Sequence, residues 1–555
     1  MTTSVVNDPY ALPPIEGSSV FSTLPQELTD KILDYLRPVG SLTTYDSLAE
    51  KPEIRRSYVE ARSNFSNLSR VSKFIYSIAT PYLYDTVIIR DQTELFDFFR
   101  TLVDRPELRV LVRSFAWLGQ LSVTEAAELE STIRREERAA SMIADFRASM
   151  NWPLDAENAR FAERMGQSRR VLGTVLAMIS KVKWLFVLHG WLEPPGLRGP
   201  SNWASWPGQT RQALFDMMTD GRKEPIADGG LQDVESIVLE AHSHPWPDRT
   251  LYNTLAMFLL NSASLRRIEM KRTASFYGMV EILSKVTNMA FVENVKELLL
   301  LRAIQPKIIP SIVTVFPKLV SLEVEIGDGS SYEVSVPRHI TPDPGMFPVL
   351  SLSETLETLS ITTSGDIQRA FDRPLEIGSG WLFGNTPAFL TMLSRMTALK
   401  DLTTESVWLF GRTDLAKALQ LPHLLPPTLV HLRLIDYWGP VTVSSFPRGR
   451  LPPPFYPAFP NDWSPPEFYD QVFSRLYENC SDCLPHLRVI TFVSPQFQAP
   501  HASAIDKIYM QDYTAEFHEL LLKFQNLFDK NGVRLSSSTP EVERTRREAK
   551  WACIG

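Results

Sequence analysis

The residues of this 555-residue chain best equipped for chemistry are Cys480-Ser481-Asp482-Cys483, with His486 three positions on. Two thiols at that spacing suit zinc or a redox dithiol. A structural zinc site takes four ligands, usually as two such pairs, and the chain offers no second pair. A redox pair heads a thioredoxin-like unit, and no such unit is legible around this one. Cys483-Leu484-Pro485-His486-Leu487 reads instead as the lead-in to a strand. His242-Ser243-His244 follows the strand-like Ile237–Leu239 and precedes Pro245-Trp246-Pro247, which reads as a turn. Glu323 and Glu325 alternate along one strand, so they share its solvated side rather than forming an acid–base pair. No Gly-x-x-x-x-Gly-Lys phosphate loop, no Gly-x-Gly-x-x-Gly after a strand and no Gly-x-Ser-x-Gly elbow occurs. The sequence therefore predicts a binding protein that is not an enzyme, with no cofactor and no metal.

Bulk properties narrow the partners. A net charge of −7 and the lack of a basic, aromatic-interleaved run argue against nucleic acid. No apolar run is long enough to cross a bilayer, and Glu297 to Ile304 is the nearest approach. The first twenty residues lack a basic segment followed by an apolar one, so no signal peptide is expected. Three cysteines make no disulfide framework and suit a reducing compartment, so the expectation is an intracellular protein, cytoplasmic or nuclear. The length suits several domains or one elongated array.

Two segments near the start must position whatever binds. In Thr23-Leu24-Pro25-Gln26-Glu27-Leu28, Thr23 and Gln26 have capping-box spacing and Pro25 suits a first helical turn. Leu28, Ile32 and Leu36 then recur every fourth residue, predicting one helix face that Arg37-Pro38 terminates. Leu68, Val71, Ile75 and Ile78 predict a second helix, stopped by Pro81. Tyr82 to Ile89 has the β-branched and aromatic content of a strand.

The order Leu-Pro-x-Glu-Leu, Ile-Leu-x-x-Leu, Leu-x-x-Val-Ser-Lys-x-Phe and Pro-x-Leu-Tyr over residues 22–89 resembles a fungal-type F-box. The resemblance implies a recruitment module that binds a Skp-type adaptor and, through it, a cullin of an SCF-type ubiquitin ligase. Its adaptor-binding positions would be Leu24, Pro25, Glu27, Leu28, Ile32, Leu36, Leu68, Val71, Ser72 and Phe74. One feature departs from the family: Arg37 to Phe65 is a long polar insertion where a short loop is usual.

Past residue 100 an aliphatic–x–x–aliphatic–x–apolar pattern returns. Its copies include Val182-Leu185-Val187, Val234-Ile237-Leu239, Leu265-Ile268-Met270, Val295-Leu298-Leu300, Leu319-Leu322-Val324, Leu356-Leu359-Ile361, Leu429-Leu432-Leu434 and Leu487-Ile490-Phe492. Val112-Phe115-Trp117 and Leu399-Leu402-Thr404 are weaker copies. This is the strand half of a leucine-rich repeat, and helical patterns lie between the copies. Start-to-start intervals run from 24 residues (Val295 to Leu319) to 58 (Leu429 to Leu487), so the array is degenerate. The expected fold is α/β: an N-terminal helical F-box followed by an irregular leucine-rich-repeat solenoid with parallel strands. The expected boundaries are a loose tail at 1–20, the F-box-like module at 21–90, the solenoid at 91–533 and a polar tail at 534–555. Inserts are expected near 121–175 and 437–466, the latter rich in proline and aromatics. Ile508 to Phe528 reads as an amphipathic helix covering the last repeat.

The solenoid would hold a protein target. Trp191, Trp408 and Trp438 each fall nine positions after the first aliphatic of a copy, which places them on one edge as candidate substrate-binding anchors. Phe186, Leu188, Leu299 and Leu301 would add an apolar patch if they faced solvent. The expected function is thus an F-box substrate receptor. The alternative is a leucine-rich scaffold with a relic F-box and no ligase role.

Overall fold

The computed structural model of the chain describes residues 24–36, 52–118, 121–122, 141, 167–189, 191–192, 231, 233–241, 262–271, 290–303, 315–326, 352–363, 393–405, 409, 418–435, 465–493 and 504–538. Two compact units divide it: Met1–Gly40 with Asp46–Thr86, and Ser41–Tyr45 with Val87–Gly555.

The first unit is helical. Helix α1 spans Gln26–Tyr35, α2 Pro52–Ser69 and α3 Lys73–Asp85. Pro25 is the N-cap of α1, so the helix starts two residues later than a Thr23 cap would start it, and Pro25 contributes no side-chain cap bond. Thr23, the other half of the expected box, lies outside the described residues. Where the sequence predicts an insertion up to Phe65 and then one helix, the chain forms α2, a turn at Arg70–Val71, and α3. The break has a local cause. Ser72 takes extended backbone angles and its hydroxyl accepts from the Ile75 N–H at 3.1 Å, capping α3. Pro81 does not end α3, which continues to Asp85 and leaves only Thr86–Ile89 for the first strand, β1. The cost of Pro81 is confined to the Ser77 carbonyl, which loses its i+4 donor on an exposed stretch. The core of the unit is Leu33 of α1, Ala61 and Phe65 of α2, and Ile75 and Ala79 of α3, with Leu36, Leu68, Ile78, Tyr82 and Leu83 packed around them. Phe65 and Tyr82 stack at 5.6 Å, and the Tyr82 hydroxyl donates to Asp30 Oδ1 at 3.2 Å, tying α3 to α1.

The second unit is an open α/β structure. Its twelve-stranded sheet contains β1, β2 (Ser114–Trp117), β4 (Trp184–His189), β6 (Ser236–Ala241), β7 (Arg267–Lys271), β8 (Glu297–Ala303), β9 (Ser321–Ile326), β10 (Thr358–Thr363), β11 (Asp401–Glu405), β12 (His431–Ile435), β13 (Val489–Val493) and β14 (Arg534–Ser538), in that order. Two short strands, β3 (Leu121–Ser122) and β5 (Trp191–Leu192), form a separate parallel pair. From β2 to β14 every pairing is parallel.

The register explains the repeating pattern. The second aliphatic of each copy stands beside the next in one line: Phe115, Leu185, Ile237, Ile268, Leu298, Leu322, Leu359, Leu402, Leu432, Ile490 and Leu535. All are buried. Side chains alternate along a strand, so the third apolar position points the same way, toward the helices. Helices α4 (Gln92–Asp104), α5 (Gln167–Met178), α6 (Pro465–Cys483) and α7 (Ala504–Lys530) supply that layer. Phe98 of α4 stacks on Phe115, and Tyr469 and Phe473 of α6 meet Phe492 edge-on at 5.0 and 5.7 Å. The degenerate copies at Val112 and Leu399 keep this register despite their weak sequence.

Three expectations are corrected here. The residues after 533 begin with a strand, β14, rather than a polar tail; Leu535 is buried beside Ile490. Helix α7 is the crossover between β13 and the last strand, β14, rather than a terminal cover, and its Phe524 and Phe528 pack on Phe473 and Tyr477 of α6. The opposite face of the sheet is not a solvated one. Phe186, Leu188 and Leu299 are buried and Leu301 is half-buried, so they form no exposed patch, and Glu240, Glu269 and Lys271 are buried with them, while Glu323 and Glu325 are half-buried. The helical and proline-rich inserts expected near 121–175 and 437–466 fall largely outside the described residues.

Candidate docking site

Helix α1 carries two adjoining stripes, their centres about 100° apart around the helix. At about 100° per residue, Tyr35, Leu28 and Ile32 cluster within ~60° of one another, and Leu36, Thr29 and Leu33 follow on the adjoining side. The second stripe faces the core: Thr29 and Leu33 are buried and Leu36 is partly so. The first faces out, with Leu28 47% exposed, Ile32 38% and Tyr35 90%. The single face expected for Leu28, Ile32 and Leu36 is therefore split, because eight residues of helix rotate Leu36 by about 80° from Leu28.

The other candidate positions divide in the same way. Val71, in the turn rather than in a helix, is 66% exposed, and Phe74, in the first turn of α3, is 44% exposed. Pro25 and Glu27 are exposed, and Leu24 is half-buried. Leu68 packs against the core, and Ser72 is spent on capping α3. Outward-facing candidates are thus Pro25, Glu27, Leu28, Ile32, Val71 and Phe74; Leu36, Leu68 and Ser72 hold the unit together. Tyr35, Val59 and Tyr76 join the outward group without having been singled out in the sequence. For Tyr35 the signal was present: it stands seven residues after Leu28 and three after Ile32.

Seven of the nine large apolar side chains exposed among the described residues belong to this helical unit; the other two are Val110 and Leu522. Small helical domains have little interior, so some apolar exposure is ordinary. Here it is concentrated in one unit, which makes that unit the candidate docking surface. On α2, burial and then the nearby Asp85 carboxylate push the Tyr58 phenol up to about 12.

The remaining candidates contribute less. Trp191 lies in β5, opposite Leu121, rather than in a loop leaving a strand. Trp408 and Trp438 lie outside the described residues, as do His242 and His244. Cys480 and Cys483 both sit in the last turn of α6 and are not joined to each other. The buried Cys480 thiol faces the Tyr477 carbonyl at 3.4 Å, whereas Cys483 Sγ is 3.3 Å from His423 Nδ1. Among the described residues no three His, Cys, Asp or Glu side chains are grouped to hold a metal ion, and no helix is long and apolar enough to cross a membrane.

On the inner face of β6 to β8, Arg267 Nη2 lies 2.9 Å from Glu269 Oε2, and Lys271 Nζ lies 3.8 Å from Glu240 Oε1. Burial raises the Glu269 carboxyl above the usual carboxylate range, against the opposing pull of Arg267. These pairs lie within the sheet as part of its interior. No family model, no curated protein and no solved structure matches this chain.

Proposed function

We propose that this chain is an F-box-type substrate receptor, its helical unit docking on a Skp-type adaptor and its leucine-rich-repeat sheet holding a protein target for ubiquitination. One observation carries the reading: the apolar residues turned outward by the helical unit include Leu28, Ile32, Val71 and Phe74, four positions taken from the motif order of an F-box. Truncating an anchor of this kind costs about 2 kcal/mol of binding free energy.

The parallel sheet supports the second half of the reading, since each strand follows its sequence neighbour with the Leu-x-x-Leu-x-Leu positions in register. That is how stacked leucine-rich repeats build a continuous surface for a partner. The chain would contribute proximity and orientation, and the chemistry would belong to the ligase subunits it recruits.

Affinity purification of the full chain, with and without residues 1–90, tests this. A Skp-type adaptor and a cullin are expected with the full chain only. Their absence from both samples would leave the sheet as an interaction scaffold with no ligase role.

A further inference from the structure

Four consecutive strands begin along one line. Glu357, Lys400, Val430 and Arg488 each stand one residue before β10, β11, β12 and β13. Their backbones are bonded in series: the Lys400 N–H donates to Glu357 O at 2.8 Å, Val430 to Lys400 at 2.7 Å and Arg488 to Val430 at 2.9 Å. Neighbours are therefore one strand spacing apart, so Lys400 and Arg488 are separated by about 10 Å at the backbone. Two residues earlier on the last three strands come Ala398, Thr428 and His486. The middle of this array is short, with Ala398, Thr428 and Val430, and its flanks are long, with Glu357 and Lys400 on one side and His486 and Arg488 on the other. The result is an open pocket of about 450 Å³, completed by Thr397. That size lies within the range of ligand sites.

Its electrostatics lean one way. Lys400 Nζ is 2.9 Å from Glu357 Oε2, the one carboxylate among the described lining residues. Arg488 Nη1 donates to the Pro485 and Leu487 carbonyls at 3.2 and 3.1 Å and meets no carboxylate among the described residues. The neighbouring Asp401 is hydrogen-bonded to His431 Nδ1 and is not among the described residues that line the pocket. The chain as a whole carries −7, so a positive pocket is a local exception. A guanidinium and an ammonium lining one pocket with an uncharged floor suit an oxyanion, and the guanidinium fork fits a carboxylate.

The geometry points to this pocket as the seat of an Asp or Glu side chain from a bound acidic protein segment, with Arg488 and Lys400 closing on its carboxylate from either side. As part of the target-holding surface, it rests on the receptor reading above. An extended segment crossing the strand starts would place one acidic side chain here and leave its neighbours on the rim.

Fluorescence polarisation with the full chain and labelled hexaglutamate tests this, with hexalysine and an otherwise uncharged peptide bearing one phosphoserine as comparators. Hexaglutamate is expected to bind, to weaken as salt rises and to outcompete both comparators. Lys400→Ala, and Lys400→Ala with Arg488→Ala, should weaken it by about tenfold or more. Arg488→Lys, which keeps the charge but loses the fork, should weaken hexaglutamate binding by less than Arg488→Ala does. Unchanged hexaglutamate affinity in a double variant that melts like the parent would overturn the assignment. So would equal binding of hexalysine, or tighter binding of the phosphoserine peptide. Adaptor binding plays no part in this assay. Hexaglutamate capture by a chain that binds no adaptor would therefore support the pocket while removing the ligase role.

Discussion

Ile32 and Leu33 are adjacent in sequence and opposite in fate, which makes them the sharpest probe of the helical unit. Leu33 is enclosed by Ala61, Phe65, Ile75 and Ala79, one residue from each of several turns of α2 and α3. Leu33→Ala removes buried carbons from that cluster and leaves a cavity, at a cost of about 3 kcal/mol. A unit of this size is worth roughly 5–10 kcal/mol in all, so the loss is a large share. Ile32 faces outward, and Ile32→Ala should cost no more than about 0.5 kcal/mol, partly offset by the better helix propensity of alanine. Hydrogen exchange on the full chain reads the difference directly. The slowest amides of α3 should lose protection by roughly a hundredfold in Leu33→Ala and by less than about threefold in Ile32→Ala. Adaptor affinity should respond in the reverse order, with Ile32→Ala losing about thirtyfold. Equal loss of protection in the two variants would mean that the outward stripe of α1 is core, and the docking surface would go with it.

Tyr58 makes the stability of the helical unit alkali-sensitive. Its pKa is about 12 when folded against an ordinary value of 10.0, so the stabilisation is whole below pH 10 and is lost as pH rises toward 12. The loss should reach about 2 kcal/mol in a titration of unfolding free energy, and Tyr58→Phe should flatten that part of the profile. In the sheet, Arg267→Ala leaves the Glu269 carboxylate buried without its 2.9 Å partner and should cost about 3 kcal/mol in denaturant melts. Glu269→Gln, which removes a charge that burial disfavours, should be close to neutral at pH 7. Gly532→Ala should cost about 1 kcal/mol with no steric clash, since φ there is +71° but the space for a Cβ is open.

Much of the sheet was legible because two constraints coincide in it. The Leu-x-x-Leu-x-Leu spacing places two alternating side chains on one strand face, and parallel stacking repeats them at the same register. Leu359 between Leu322 and Leu402 could therefore be placed from sequence alone. The last strand was missed because Gly532 occupies the place of the first aliphatic. It is needed there to close α7, with the Val533 N–H returning to Phe528 O and the Gly532 N–H to Asp529 O. The buried charges of β6 to β8 were illegible for another reason: alternation says that Glu240 and Glu269 share a face, but not that the face is enclosed. In the helical unit, i,i+4 spacing found α1 but could not say which of two adjacent stripes is core. Ser72 breaks what reads as one helix, because its cap bond to Ile75 outweighs a periodicity that runs straight through it.

The central claim is that the outward face of the helical unit docks on an adaptor. It is tested most directly by titrating the purified full chain with a purified Skp-type adaptor by calorimetry, alongside Val71→Ala and Phe74→Ala variants. Both side chains are exposed, so the variants should melt with the parent. Saturable binding is expected from the parent, with a loss of about tenfold or more in each variant. No binding by a folded parent chain, or full affinity in both variants, would contradict it.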